Sequence, residues 1–347
     1  MHKIFLTTIL LSLILGSCTN TAKDQSNKEV QADSSSTSKD YPRLGRVEIL
    51  DPAMLNIVDS TAQVEKLADG MTWAEGPVWV KEGNYLLYSD TRQNIIYQWS
   101  EAAGLQEFIK PAGFEGPGTY SEEEGTNGLL INQQGQLVAC DHGNRRIAQI
   151  DLKTKKKETL VGNWEGKKFN SPNDICQHPN GDYYFTDPPY GLPGRESDTE
   201  TKEIKENGVY KVNQKGEAVQ VVSNLARPNG ITLSADAKQV FVALSDGNNP
   251  YIMAYDIKPD GLLSEGRIFF DFKKNFPEES LAADGIKVDA NGNMYAAAGD
   301  GVVVINSTGK PIGRIRSTVH TANCAFAADG YLYLTSTDQL LRIKLKI

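Results

Sequence analysis

Four residues of this chain are able to hold a divalent cation between them: Glu75, Asn173, Asn229 and Asp284. Two are carboxylates and two are amides, so the set is all oxygen, with neither His nor Cys. Hard ligands of that kind suit Ca²⁺ first and Mg²⁺ or Mn²⁺ next, with Zn²⁺ as a further alternative, and two carboxylates balance one divalent charge. Four protein oxygens leave coordination positions for water or substrate, as metal-assisted chemistry requires. The residue types alone say little; their phase in a repeat makes them a set.

Six stretches open with a similar pair: Glu75-Gly76, Asn127-Gly128, Asn173-Asp174, Asn229-Gly230, Asp284-Gly285 and Asn323-Cys324. Each is followed 14 to 17 residues later by an aspartate that closes an apolar run: Asp90, Asp141, Asp187, Asp246, Asp300 and Asp338. The segments between read as a short strand, a polar turn and an aliphatic or aromatic strand, as in GNYLLYSD (83–90) and GYLYLTSTD (330–338). A third strand follows, as in NIIYQW (94–99) and QLLRIK (339–344). The starts lie 52, 46, 56, 55 and 39 residues apart, the period of a propeller blade. The expected fold is therefore an all-β, six-bladed β-propeller. Only three strands follow Asn323, so Ala62–Asp69 is expected to complete the last blade as an N-terminal closing strand, hiding two open edges. Tyr41–Ser60 reads as a packed lead-in.

In such a blade the first strand is innermost, and all six opening residues reach one central mouth. Asn-Gly and Asp-Gly are also ordinary turn chemistry, which is the plain reading of Asn127 and Asn323. Glu75 in WAEGPVW (73–79) has no such local explanation. Placing Glu75 and Asp284 together away from bulk water is unfavourable unless a cation compensates. The closing aspartates occur in all six blades whatever stands opposite them, and we read them as acceptors for turn amides.

The chain ends carry a different message. Met1–Ser17 has Lys3, the apolar run Ile4–Leu15 and then small residues, the layout of a secretory signal and too short to span a bilayer. Leu15-Gly16-Ser17-Cys18 resembles the bacterial lipobox, so residues 1–17 are expected to be a lipoprotein signal peptide with Cys18 lipidated. Residues 18–40 are polar and read as a flexible tether; 41–347 form the propeller domain. The expected location is the bacterial cell envelope, anchored to the periplasmic or outer side of a membrane. Cys140, Cys176 and Cys324 are odd in number and lie in or beside strands, which argues against a disulfide framework. A net charge of −8 without a basic stripe argues against nucleic acid, and no obligate protein partner is evident.

At the mouth residues the chain resembles the SMP-30/gluconolactonase group of six-bladed lactonases. The resemblance runs from about Gln63 to the C-terminus and rests on EGPVW (75–79), SPNDI (171–175), FTDPPYG (185–191), RPNGITLS (227–234) and ADGIKVD (283–289). FTDPPYG and CDHGNRR (140–146) are most similar to the bacterial gluconolactonase branch. It implies metal ligands at Glu75, Asn173, Asn229 and Asp284, a pattern similar also to that of the squid-type diisopropylfluorophosphatases. It further implies Asp284 as the base that orients or deprotonates water, with Asn127 and Asn173 facing the substrate. The animal lactonases have an arginine two residues before the blade-three Asn, where this chain has Ser171.

His142, just past the second strand of blade two, is a further candidate for binding substrate or protonating the leaving oxygen. His178 lies on the opposite face and reads as structural; His320, on the mouth side, is left open. The long loops 113–126 and 188–207 are placed to roof the mouth partly, and Tyr190 and Trp164 are candidates to stack on a sugar ring. The expected function is a divalent-metal dependent hydrolase, with calcium as the expected metal, that opens sugar lactones such as gluconolactone. Alternatives are a phosphotriesterase-like hydrolase on the same site, a sugar enzyme that is not a lactonase, and a non-catalytic carbohydrate-binding propeller with structural calcium.

Overall fold

The structure, a computed structural model, describes residues 39–346. The expected signal peptide, the lipidation at Cys18 and the tether up to residue 38 lie outside the described residues. Tyr41–Ile347 is one compact unit. Strands dominate it because the second strand of each blade, and in blade five the third as well, is a mainly aliphatic and aromatic run without alternation. Gly301–Ile305 is buried at every position, as is Met294–Ala298. A strand sandwiched between neighbouring blades has no solvent face, so a continuous apolar run, not an alternating one, is the matching sequence.

Six antiparallel sheets form the ring. Their innermost strands are Ala74–Val80, Thr126–Ile131, Ile175–Gln177, Pro228–Leu233, Ala283–Val288 and Asn323–Phe326. In the sixth sheet Val64–Asp69 pairs with Gln339–Lys344, Leu340 opposite Ala68 and Arg342 opposite Glu65, so the N-terminal strand closes the ring. The lead-in does more than pack. Arg43–Leu44 pairs with Val64–Asp69 and adds a fifth strand to blade six, while Arg46–Ile49 pairs with Pro311–Arg316 as a fifth strand of blade five. The 3-10 turn Pro52–Asn56 and the residues after it then bury Met54, Ile57 and Val58 in the core between those two blades.

A bulge recurs at the inner strands. In blades two, four and five the pairs Asn127-Gly128, Asn229-Gly230 and Asp284-Gly285 lie where two inner-strand residues face one on the second strand. In blade one the bulge falls directly after Glu75. A bulge re-aims the side chain beside it, which turns these residues toward the axis and the mouth. The glycines answer to crowding at the axis and not to turn geometry. A Cβ on Gly128 would lie 2.7 Å from the Asn173 carbonyl oxygen, and the Gly128 N–H donates to that oxygen at 2.7 Å. A Cβ on Gly230 would overlap the Asp284 carbonyl oxygen. The plain turn reading of Asn127-Gly128 is corrected accordingly: neighbouring inner strands approach too closely for any side chain at Gly128.

Four closing aspartates accept backbone amides as expected: Asp90 from Thr72, Trp73, Arg92 and Gln93, Asp141 from Asn144, Asp187 from Asn170, and Asp246 from Asn248. Asp300 departs from this and grips the Arg316 guanidinium, Oδ2 to Nη2 2.7 Å. Cys140 and Cys324 are buried thiols and Cys176 is half-buried; all three are free.

Candidate active site

Five of the six opening residues reach the mouth because their inner strands begin there, with a bulge beside those of blades one, two, four and five; Asn323 does not line the cavity and instead donates to Glu75. Glu75, Asn127, Asn173, Asn229 and Asp284 line one cavity of about 240 Å³, together with Trp73, Tyr190 and Ser245. The four expected ligands thus come from blades one, three, four and five and share one space. Among the described residues no three His, Cys, Asp or Glu side chains cluster as a metal site, so a cation held here would need the two amides as well as the two carboxylates.

The electrostatics of the pair are unfavourable as it stands. Burial, and then the charge of Asp284, raise the Glu75 carboxyl well above the usual range. Burial likewise raises Asp284, while His320 and the Asn229 amide hold it down. Asp284 Oδ1 is buried without any hydrogen-bond partner. Leaving a buried charged acceptor unsatisfied costs upwards of about 1–3 kcal/mol, so this oxygen, in a residue that lines the polar cavity, is one that a bound ligand would satisfy. Asn229 Nδ2 donates to Ser245 Oγ at 2.9 Å, which leaves the amide oxygen for a ligand. Glu75 Oε2 accepts from the Gly76 amide at 3.0 Å and from Asn323 Nδ2 at 3.3 Å. A buried carboxylate at Glu75 raised by the charge of a half-buried one at Asp284, an orphaned carboxylate oxygen and a presented amide oxygen fit a hard divalent cation.

Both long loops contribute to the cavity wall, Glu123 from one, Tyr190 and Arg195 from the other. They are tied across the mouth: Arg195 Nη2 lies 3.0 Å from Glu122 Oε2 and 2.9 Å from Glu123 Oε1. Burial lifts Glu123 to about 7 against the pull of Arg195 and Arg92. Arg92 lies over the Trp73 ring at 5.2 Å, and Arg227 Nε meets Glu196 Oε1 at 2.9 Å. Arginine therefore reaches the cavity from three positions other than the one that Ser171 occupies. Ser171 Oγ donates to the Pro188 carbonyl at 2.6 Å and accepts from the Gly191 amide at 2.9 Å, pinning the loop that carries Tyr190. Burial also raises the Tyr190 phenol.

Three expectations change. His142 is fully buried and lines no part of the cavity, because Gly191 packs directly on it. Neither of its ring nitrogens makes a hydrogen bond of ordinary geometry, although the Glu123 backbone is close, and burial pushes its pKa down to about 4. It is neither the expected substrate contact nor a surface-loop histidine. Trp164 is also away from the cavity, packed edge-on against Tyr210 at 5.6 Å. His320, left open above, belongs to the site: its Nε2 lies 3.9 Å from Asp284 Oδ2 and its ring stacks on Trp73. Its position before blade six was the one available signal. His178 is structural as expected, with Nε2 3.2 Å from the Ala237 carbonyl and Nδ1 accepting the Asn180 amide.

The SMP-30/gluconolactonase/LRE-like region model matches residues 73–338. A gluconolactonase of Zymomonas mobilis is 34% identical over 310 residues, 87% of this chain and 87% of that protein. The structure of a gluconolactonase from Xanthomonas campestris is 28% identical with a TM-score of 0.75, covering 88% of this chain and 99% of that one. The lactonohydrolase oryL of Aspergillus oryzae is 28% identical over 292 residues, 73% of this chain and 63% of that protein.

Proposed function

Because the chain belongs to the SMP-30/gluconolactonase/LRE-like family, we propose that it is a hydrolase that opens lactones, with a sugar lactone such as gluconolactone as substrate. The observation that carries this reading is the orphaned Asp284 Oδ1 in a polar cavity that Glu75, Asn173 and Asn229 also line. Those four residues would hold Ca²⁺, and when bound the ion supplies Lewis-acid polarisation of the ring carbonyl and acidifies an attacking water.

The chain's own residues do the remainder. Asp284 accepts the proton of the attacking water, and His320 beside Oδ2 helps keep that carboxylate ionised. Asn127, on the cavity wall beside Asn173, hydrogen-bonds ring hydroxyls or the carbonyl. Trp73 and Tyr190 form aromatic walls, and the Arg–Glu pairs at the rim offer both donors and acceptors, as a polyhydroxylated ring requires. The tied loops limit the size of what enters. From the lipobox-like Leu15-Gly16-Ser17-Cys18 we further propose that the enzyme is held in the bacterial envelope by lipid on Cys18; Cys18→Ser is expected to release it from membranes into the soluble fraction.

A lactone panel followed by pH drop tests the activity, run with chelator and then with Ca²⁺, Mg²⁺, Mn²⁺ or Zn²⁺ restored singly. Turnover that chelator abolishes and Ca²⁺ restores best is the expected result. Chelator-insensitive turnover overturns the metal assignment, and no turnover of any lactone overturns the hydrolase assignment.

A further inference from the structure

Lys287 carries a half-buried ammonium in the hub, three residues past Asp284 on the inner strand of blade five. Its Nζ lies 3.3 Å from Asp174 Oδ2, 3.3 Å from Asn323 Oδ1 and 3.1 Å from the Ile286 carbonyl oxygen. Asp174 and Asn323 are each 2% exposed. Lys287 also ends a second cavity of about 410 Å³ whose walls are mainly apolar inner-strand residues such as Val78, Leu129, Ile231 and Phe326. An ammonium in such surroundings needs a close counter-charge, and Asp174 supplies it. The pair is electrically neutral, so it does not repel a dication at the mouth.

The contact continues to the site through one amide. Asn323 Oδ1 accepts from Lys287 Nζ and from the Cys324 amide at 2.9 Å, and Asn323 Nδ2 donates to Glu75 Oε2. An ammonium has three donors and no acceptor, so it tolerates only the oxygen end of a neighbouring amide. That fixes the amide with its nitrogen toward Glu75. A flipped amide would set oxygen against carboxylate. Both donors to Glu75, the Gly76 and Asn323 nitrogens, fall on Oε2. Oε1 remains as the oxygen that Glu75 offers to a ligand.

We propose that Lys287 is a positioning residue for the divalent site and acts through Asn323, which commits one Glu75 oxygen and frees the other. This rests on the metal reading above. No residue of the pair touches the substrate cavity, so the effect belongs to cation binding and not to the chemical step.

Calcium titration by calorimetry on the full folded chain tests it, comparing wild type, Asp174→Asn/Lys287→Met, Asn323→Ser and the triple variant. Removing both charges together leaves neither one buried alone. The double variant and Asn323→Ser should each bind Ca²⁺ about tenfold more weakly, the range seen when residues behind a metal ligand are lost. The triple variant should be no weaker than Asn323→Ser, because residues in one chain of contacts are not additive. Wild-type affinity in the double variant overturns the proposal, and so do losses that multiply in the triple variant. If the double variant does not fold, unchanged affinity in Asn323→Ser, which leaves the Lys287–Asp174 pair in place, overturns it equally. A wild-type chain that takes up no divalent cation overturns instead the site reading beneath it, and the relay falls with that.

Discussion

His320 Nε2 stands 3.9 Å from Asp284 Oδ2 while the imidazole stacks on Trp73, with centroids 5.6 Å apart and planes 30° from parallel. Burial raises the Asp284 carboxyl and His320 lowers it. Replacing His320 by Phe keeps an aromatic ring on Trp73 but removes the nitrogen, so Asp284 should ionise at higher pH. The acid limb of the kcat/KM profile should then move to higher pH. An unmoved acid limb would show that the ring only packs.

Asp284→Asn should retain the fold and lose turnover. The amide still fills the bulge position beside Gly285 but cannot accept a water proton. A loss of about 10²–10⁴ in kcat is expected for removal of a general base. Thermal midpoint and circular dichroism should stay close to wild type; turnover within a few-fold of wild type would exclude Asp284 as the base.

Arg195→Ala should act on substrate binding more than on chemistry. Arg195 Nη2 holds Glu122 and Glu123 across the mouth, and Glu123 is buried. Losing a charge-assisted contact of this kind should raise KM by roughly tenfold while kcat changes less. A fall in kcat at constant KM would mean that the loops do not govern entry.

Asp187 offers a stability test away from the cavity. One oxygen accepts the Asn170 amide at 2.8 Å, the other has no partner, and burial lifts the carboxyl to about 7. Its folded pKa thus exceeds the unfolded value of about 3.9, so its contribution is fully present below about pH 4 and is lost as pH rises through about 7. Asp187→Asn keeps an acceptor for Asn170 without the charge. Its gain in thermal midpoint should therefore be larger at pH 8 than at pH 5; equal gains would contradict the assignment.

The ring, its closing strand and the shared cavity were legible because they follow from phase: a repeat fixes which residue of each blade faces the axis. Glu75 stood out by being the wrong type for a turn. What phase cannot show is contact between segments remote in sequence. His142 has the phase of a mouth residue, yet Gly191 of the next blade packs on it. Lys287 reads as any strand lysine in the sequence, because Asp174 and Asn323, which surround it, lie 113 and 36 residues away. Asn-Gly reads as a turn in any sequence, and only the neighbouring inner strand reveals that the glycine is there for clearance. The roles of Arg195 and Ser171 likewise depend on how two loops meet.

The pairing of Val64–Asp69 with Gln339–Lys344, reinforced by Arg342 Nε on Glu65 at 2.8 Å across 277 residues, also sets an order of events. During synthesis the early strand can pair locally with Arg43–Leu44, but its other edge must wait unpaired until nearly the whole polypeptide has emerged. Long-range pairing of this kind forms slowly. A chain halted anywhere in blade six leaves two bare edges at once, so premature termination there should yield aggregates rather than a shortened but soluble ring.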